Sequence, residues 1–151
     1  MSDHFIRFIP LDARFVPEQK GQAAALALLR AVAPDADDIS SETEDHIAFR
    51  DCGENFECVR CPGCGAEIAI ETWQGWMDHD YTEGGGFRLE PVTTPCCGKR
   101  ETLNGLVYDR PQGFSCYVLT GMNPGRDLPS AVMTELEEAL GCRLRTIYQM
   151  I

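Results

Sequence analysis

The chain predicts an α+β fold made of two strand–helix–strand halves around a long interruption. Three observations carry that reading. Each end of the 151-residue sequence offers a strand-forming run, a helix with one apolar face and a second strand-forming run. The stretch between the halves is poor in apolar runs. That same stretch holds two glycine-tailed cysteine clusters, Cys61-Pro62-Gly63-Cys64-Gly65 and Pro95-Cys96-Cys97-Gly98.

The first half opens on Phe5-Ile6-Arg7-Phe8-Ile9, whose β-branched and aromatic residues suit a strand, and Pro10-Leu11-Asp12-Ala13 turns out of it. Pro17 suits the first turn of a helix. Ala25, Leu28, Leu29 and Val32 then follow the i, i+3, i+4, i+7 spacing of one buried face, and Pro34 stops the helix. An acidic loop comes next, after which His46-Ile47-Ala48-Phe49 returns as a second strand.

The second half repeats the plan. Residues 114–120 read as a strand, with Met122-Asn123-Pro124-Gly125 as its exit. Pro129 opens a helix whose apolar face is Val132, Leu136 and Leu140, and Gly141 stands where a residue ending the helix in left-handed conformation belongs. A last strand closes the chain, with Leu144, Thr146, Tyr148 and Met150 alternating against Arg145, Ile147, Gln149 and Ile151.

This is the element order of a ferredoxin-like βαββαβ sandwich, an antiparallel four-stranded sheet covered on one face by two helices. A hairpin joins the second and third strands of that arrangement; here residues 52–112 replace it. Residues 1–51 and 113–151 are therefore expected to form the sandwich and 52–112 an inserted subdomain. The insertion is tolerable because loop-closure cost grows slowly with length. Within it, Ile68, Ile70, Trp73, Trp76, Met77 and Tyr81 predict a short helix or an aromatic-rich hairpin, both tryptophans packing a small core. Gly84-Gly85-Gly86 ends that element, and residues 87–92 are expected to return as a strand.

The cysteine clusters state the chemistry of the insertion. A zinc ribbon uses two knuckles, usually CxxC each, to bring four thiolates to about 2.3 Å from one ion. Cys61 and Cys64 make a complete knuckle, with Pro62 and Gly63 shaping the turn. Laying Cys97-Gly98 over Cys64-Gly65 puts Thr94 where the paired ligand should be, and Cys96 is adjacent instead. The ligand set is thus Cys61, Cys64, Cys96 and Cys97, with Cys58 and His79 in reserve should Cys96 point away. Cys116 and Cys142 fall in expected core elements, and Cys52 at a strand end. Thiolate-only ligation selects Zn2+, with iron the competing metal. Four thiolates leave no open coordination position, so the site would be a staple and would not activate water.

The two clusters resemble zinc-ribbon knuckles, and the chain as a whole is similar to a family of small bacterial proteins. Phe5-Ile6-Arg7-Phe8-Ile9-Pro10, Asp51-Cys52-Gly53-Glu54-Asn55-Phe56, Thr94-Pro95-Cys96-Cys97-Gly98 and Met122-Asn123-Pro124-Gly125 carry that likeness. The resemblance implies an architecture and a metal, with no activity to carry over. Some relatives bear a transporter-ATPase label, but no GxxxxGK[ST] stretch is present to cradle phosphates.

Charge narrows the function classes. The net charge is −11, and residues 35–57 hold nine acidic residues against Arg50 alone. Such a surface repels phosphate backbones and attracts basic partners, which disfavours nucleic-acid binding. No run approaches the length of a membrane span, and the N-terminus lacks the basic and apolar regions of a signal peptide, so a cytoplasmic location is expected. No nucleophile–base pattern or carboxylate pair stands out, so the reading leans away from an enzyme. The expectation is a non-enzymatic interaction or adaptor protein stapled by zinc, with an acidic toxin-immunity-like protein and a thiol or metal sensor as alternatives. The polar turn at Asp51–Phe56 reads either as a small pocket or as a turn shaped by Gly53 and Asn55. Oligomeric state is open.

Overall fold

In the computed structural model of the protein, which describes residues 2–151, the long elements fall at the two ends of the chain and short ones fill the middle. The N-terminal part has β1 (His4–Pro10), α1 (Gln19–Val32) and β2 (Asp38–Arg50). The middle has β3 (Val59–Arg60), β4 (Glu67–Ile68), α2 (Ile70–Asp80), β5 (Tyr81–Thr82), β6 (Gly86–Phe87), β7 (Val92–Thr93), β8 (Arg100–Glu101), a 3-10 turn at Leu103–Gly105 and β9 (Val107–Tyr108). The C-terminal part has β10 (Gly113–Met122), α3 (Ser130–Leu140) and β11 (Leu144–Met150). The protein is α+β. No helix among the described residues is long and apolar enough to cross a membrane.

One six-stranded sheet organises the chain in the order β11-β1-β10-β2-β6-β5, with antiparallel neighbours throughout. The four long strands occupy one side of it, and β6 and β5 extend it from the middle segment. Helices α1 and α3 pack on each other and on one face, where Ile6 and Phe8 of β1 meet Leu29, Leu136 and Leu140. Val132, Leu136 and Leu140 are all buried, and Gly141 ends α3 at φ 75° as its position predicts. On the opposite face, Ile9, Val118 and Ile147 pack with Cys52.

The middle segment joins this second face through an aromatic core. Trp73 stacks on Phe56 at 5.4 Å and meets Phe49 and Tyr108 edge-on at 6.1 and 6.2 Å. Its indole N–H donates to the Tyr108 hydroxyl at 3.2 Å, and that hydroxyl donates to the Leu103 carbonyl at 2.7 Å. Phe114 of β10, fully buried, packs with Phe49 and Phe87. Apolar packing therefore orders much of the segment directly. Trp73 is a core residue, as expected, while Trp76 is half-buried beside it.

Several local expectations are corrected. The acidic stretch is not a loop: residues 38–45 belong to β2, which pairs with β10 from Asp38 to Thr43. The strand chemistry is hidden because, among the described residues, this half of β2 has β10 as its only strand neighbour, and an edge strand can carry charge on its exposed positions. Helix α1 begins at Gln19, so Pro17 precedes its first turn, and Leu28 and Val32 are only half-buried. The aromatic-rich run is split, with Ile68 in β4 and Tyr81 in β5 flanking α2. Residues 87–92 do not form one strand, because Leu89 takes φ 56° and turns the backbone between β6 and β7. Cys142 is half-buried in the turn after α3 rather than deep in the core.

Between Thr43 and Ala48 the β2–β10 ladder is broken, so that residues 44–47 stand opposite the single residue Cys116. Arg50 fills the gap. Its buried guanidinium donates to the Ser115 hydroxyl at 3.2 Å and to the Ser115 and Cys116 carbonyls at 3.3 Å, and it pairs with Glu44 at 3.2 Å.

Candidate metal centre

Two short hairpins present the cysteine clusters to each other. The first knuckle lies between β3 and β4, the second between β7 and β8. They share one backbone pattern. In the first, Gly65 N–H donates to the Cys61 carbonyl and Cys61 N–H to the Ala66 carbonyl, both at 2.9 Å. In the second, Gly98 N–H donates to the Thr94 carbonyl at 3.1 Å and Thr94 N–H to the Lys99 carbonyl at 2.9 Å. Gly65 and Gly98 sit at φ 78° and 73°, where an L side chain is disfavoured, and so turn the chain back beneath the sulfurs.

The sulfurs of Cys61, Cys64, Cys96 and Cys97 all lie within 4.8 Å of one another. Two contacts run between knuckles: Cys61 to Cys97 at 3.5 Å and Cys64 to Cys96 at 3.3 Å. Four sulfurs placed tetrahedrally at about 2.3 Å from an ion would stand about 3.8 Å apart, so this donor set fits a thiolate-bound metal. The group is lopsided in exposure. Cys61 is buried, while Cys64, Cys96 and Cys97 face solvent.

Matching the hydrogen-bond patterns superposes Cys61 on Thr94, Gly63 on Cys96 and Cys64 on Cys97. The second knuckle thus carries threonine where the first has Cys61 and supplies its other thiol from the turn itself. Gly63 has no side chain to compete: a Cβ there would lie 3.0 Å from the Cys97 sulfur. Thr94 is buried, its hydroxyl accepting from Lys99 N–H at 3.0 Å and lying 3.4 Å from the Cys61 sulfur.

Electrostatics single out one sulfur. The Thr94 hydroxyl pulls the Cys61 thiol down to about 6, against burial, and the backbone N–H groups of Cys64 and Gly63 act in the same sense. For Cys64 the Ala66 N–H favours the thiolate, but the Cys96 thiol and desolvation outweigh it and push Cys64 up to about 11.

The reserve residues lie elsewhere. Cys58 donates to the Asp109 carboxylate at 2.7 Å, which with burial pushes its thiol up to about 11, and Arg60 holds the same carboxylate at 3.0 Å. His79 is exposed near the C-terminus of α2 and is no member of the sulfur group. Adjacent Cys96 and Cys97 both lie in the sulfur group, and Cys58 and His79 do not. What the sequence reading missed is the hydroxyl of Thr94 as a partner of the Cys61 sulfur. The offset of Thr94-Pro95-Cys96-Cys97-Gly98 against Cys61-Pro62-Gly63-Cys64-Gly65 was the available signal.

The polar turn after β2 is clamped to the edge of β11. Glu54 N–H donates to the Met150 carbonyl at 2.8 Å, and Asn55 donates from its side chain to the Tyr148 carbonyl at 2.9 Å. Gly53 takes φ 62° with its Cα face against the Met150 carbonyl, a place with no room for a Cβ. Asn55 also lines a cavity of about 500 Å3 with Asn123, Arg126 and Tyr148. Compared with family models, curated proteins and solved structures, the chain matches none.

Proposed function

We propose that the protein is a zinc-stapled interaction module, with one Zn2+ held by Cys61, Cys64, Cys96 and Cys97 and no catalytic role for the metal. The observation that carries this reading is the convergence of four thiols from two knuckles within 4.8 Å. Four thiolates complete a tetrahedral shell, which leaves no position for substrate or water. An all-sulfur set favours zinc in a reducing compartment and admits iron as the competitor. Free thiols of this kind suit the cytoplasm.

The strand order β11-β1-β10-β2, with both helices on one face, supports a ferredoxin-like sandwich, and residues 52–112 are then its inserted zinc-ribbon segment. The outer edge of residues 38–45 in β2, which has no strand partner among the described residues, is where a partner would dock. It carries Asp38, Glu42, Glu44 and Asp45, so the partner chemistry is basic, and nucleic acid is disfavoured. A toxin-immunity role would be one instance of this reading.

Two measurements test it. The purified chain should carry one equivalent of zinc, and its complex with a basic partner should weaken steeply as salt rises from 50 to about 300 mM. Absence of both zinc and iron contradicts the staple. A partner whose binding is indifferent to salt contradicts the acidic edge as its docking surface.

A further inference from the structure

Two sulfur pairs in the cluster lie across the knuckles at 3.3 and 3.5 Å, and this has a consequence for its redox chemistry. We propose that the cluster is a thiol-oxidation site for low-molecular-weight disulfides, closing Cys64–Cys96 first and Cys61–Cys97 second, with release of the metal. This rests on the zinc reading above, and it adds a reaction partner and an order of events.

In a group whose sulfurs all lie within 4.8 Å of one another, the pairs proposed are the two at contact distance across the knuckles. Cys64 and Cys96 are 3.3 Å apart, Cys61 and Cys97 3.5 Å. The Cys61 sulfur is oriented toward the second knuckle, between the Gly63 N–H at 3.3 Å and the Thr94 hydroxyl at 3.4 Å. A Cys96–Cys97 bridge is disfavoured because Cα atoms across a trans peptide are about 3.8 Å apart, short of the about 4.4–6.8 Å that disulfides span. Exposure sets the order. Cys64 and Cys96 are both open to solvent, whereas Cys61 is buried under Thr94.

Each step balances. Two protein thiolates lose one electron each and join, and the external disulfide takes the electron pair and leaves as two thiolates that collect protons from water. After the first step only Cys61 and Cys97 would remain as thiolates to hold a metal, too few to retain it. After the second, two bridges link the same two knuckles that the metal linked. The oxidised form therefore keeps its fold without metal, and reduction restores the site.

The test treats the zinc-loaded full chain with oxidised glutathione, follows zinc with a coloured chelator, and digests without reduction. Trypsin cuts after Arg60, Arg88 and Lys99, leaving Cys61 and Cys64 on peptide 61–88 and Cys96 and Cys97 on peptide 89–99. A bridge between knuckles joins the two peptides; one within a knuckle does not. The expected result is loss of one zinc equivalent as the peptides become joined, with fragmentation placing the first link at Cys64–Cys96. C64S/C96S should still form Cys61–Cys97, and C58S should behave as the parent. A loop within peptide 61–88, persistent glutathione adducts, or retained zinc and thiols would overturn the proposal. Zinc is measured before oxidant is added. A chain without metal refutes the staple alone, and the pairing is then read on that chain, where unjoined peptides refute it.

Discussion

Thr94 holds in the second knuckle the place that Cys61 holds in the first, and its hydroxyl lies 3.4 Å from the Cys61 sulfur. Threonine in that place puts a hydroxyl beside the Cys61 sulfur where the first knuckle has a thiol. The same hydroxyl receives the Lys99 N–H at 3.0 Å, so the knuckle turn and the Cys61 sulfur are braced by one side chain. T94V keeps the shape and removes the oxygen. Zinc affinity should fall by about 10-fold to 100-fold, the range seen when groups supporting a ligand are lost. Competition with a chelator of known affinity measures this, and an unchanged affinity would show that the hydroxyl does not support Cys61.

Proton release reads the same contact. With Cys61 held down to about 6, zinc uptake at pH 7.5 should displace fewer than the four protons that four neutral thiols would hold. The sign follows from the thiolate being favoured in the folded chain. Its contribution to the stability of the metal-free protein is present above the ordinary thiol range and is lost as pH falls through about 6. Calorimetry in buffers of different ionisation heat counts the protons. T94V should raise the count toward four.

Asp80 orders the hairpin after α2. Its buried carboxylate accepts the backbone N–H groups of Arg88, Leu89 and Glu90 at 2.9, 2.8 and 2.8 Å. This is how the backbone reverses at Leu89 despite its positive φ. D80A strands three donors and should cost about 3 kcal/mol in urea unfolding. A loss under about 0.5 kcal/mol, the scale of an ordinary surface change, would contradict this account.

Arg50 has the corresponding task at the broken β2–β10 ladder. R50M retains much of the stem but leaves the Ser115 and Cys116 carbonyls and Glu44 without their donor. The expected loss is about 3 kcal/mol, again by denaturant titration. Wild-type stability for R50M would mean that packing alone closes the gap.

Metal removal should act locally. Trp73, Tyr108, Leu103 and Phe114 pack in a core that Cys61 joins but Cys64, Cys96 and Cys97 do not, so α2 and the large sheet should persist. Hydrogen exchange after chelation should quicken at residues 61–66 and 94–100 and stay slow in β1 and β10. Global unfolding on chelation would contradict this division.

Legibility followed the strength of the local signal. Helix α3 could be read to its last residue because Val132, Leu136 and Leu140 share one face and Gly141 stops it. The cluster could be read because thiolates on glycine-tailed turns have few other uses. The acidic half of β2 could not be read, since its order comes from pairing with residues 117–122 of β10 and leaves no apolar alternation. The contributions of Arg50, Asp80 and Thr94 also escaped, because each depends on a partner brought close only by folding. Cys96 lay between these cases: its type announced a ligand, but only the superposition of the knuckles explains its position.

The central claim is a single metal held by four sulfurs, and Co2+ substitution tests it most directly. The wild-type chain should take up one Co2+ with the intense visible bands of a tetrahedral all-thiolate site, and C96S should shift those bands to a three-sulfur spectrum. Weak octahedral bands, no uptake, or an identical C96S spectrum would contradict the account.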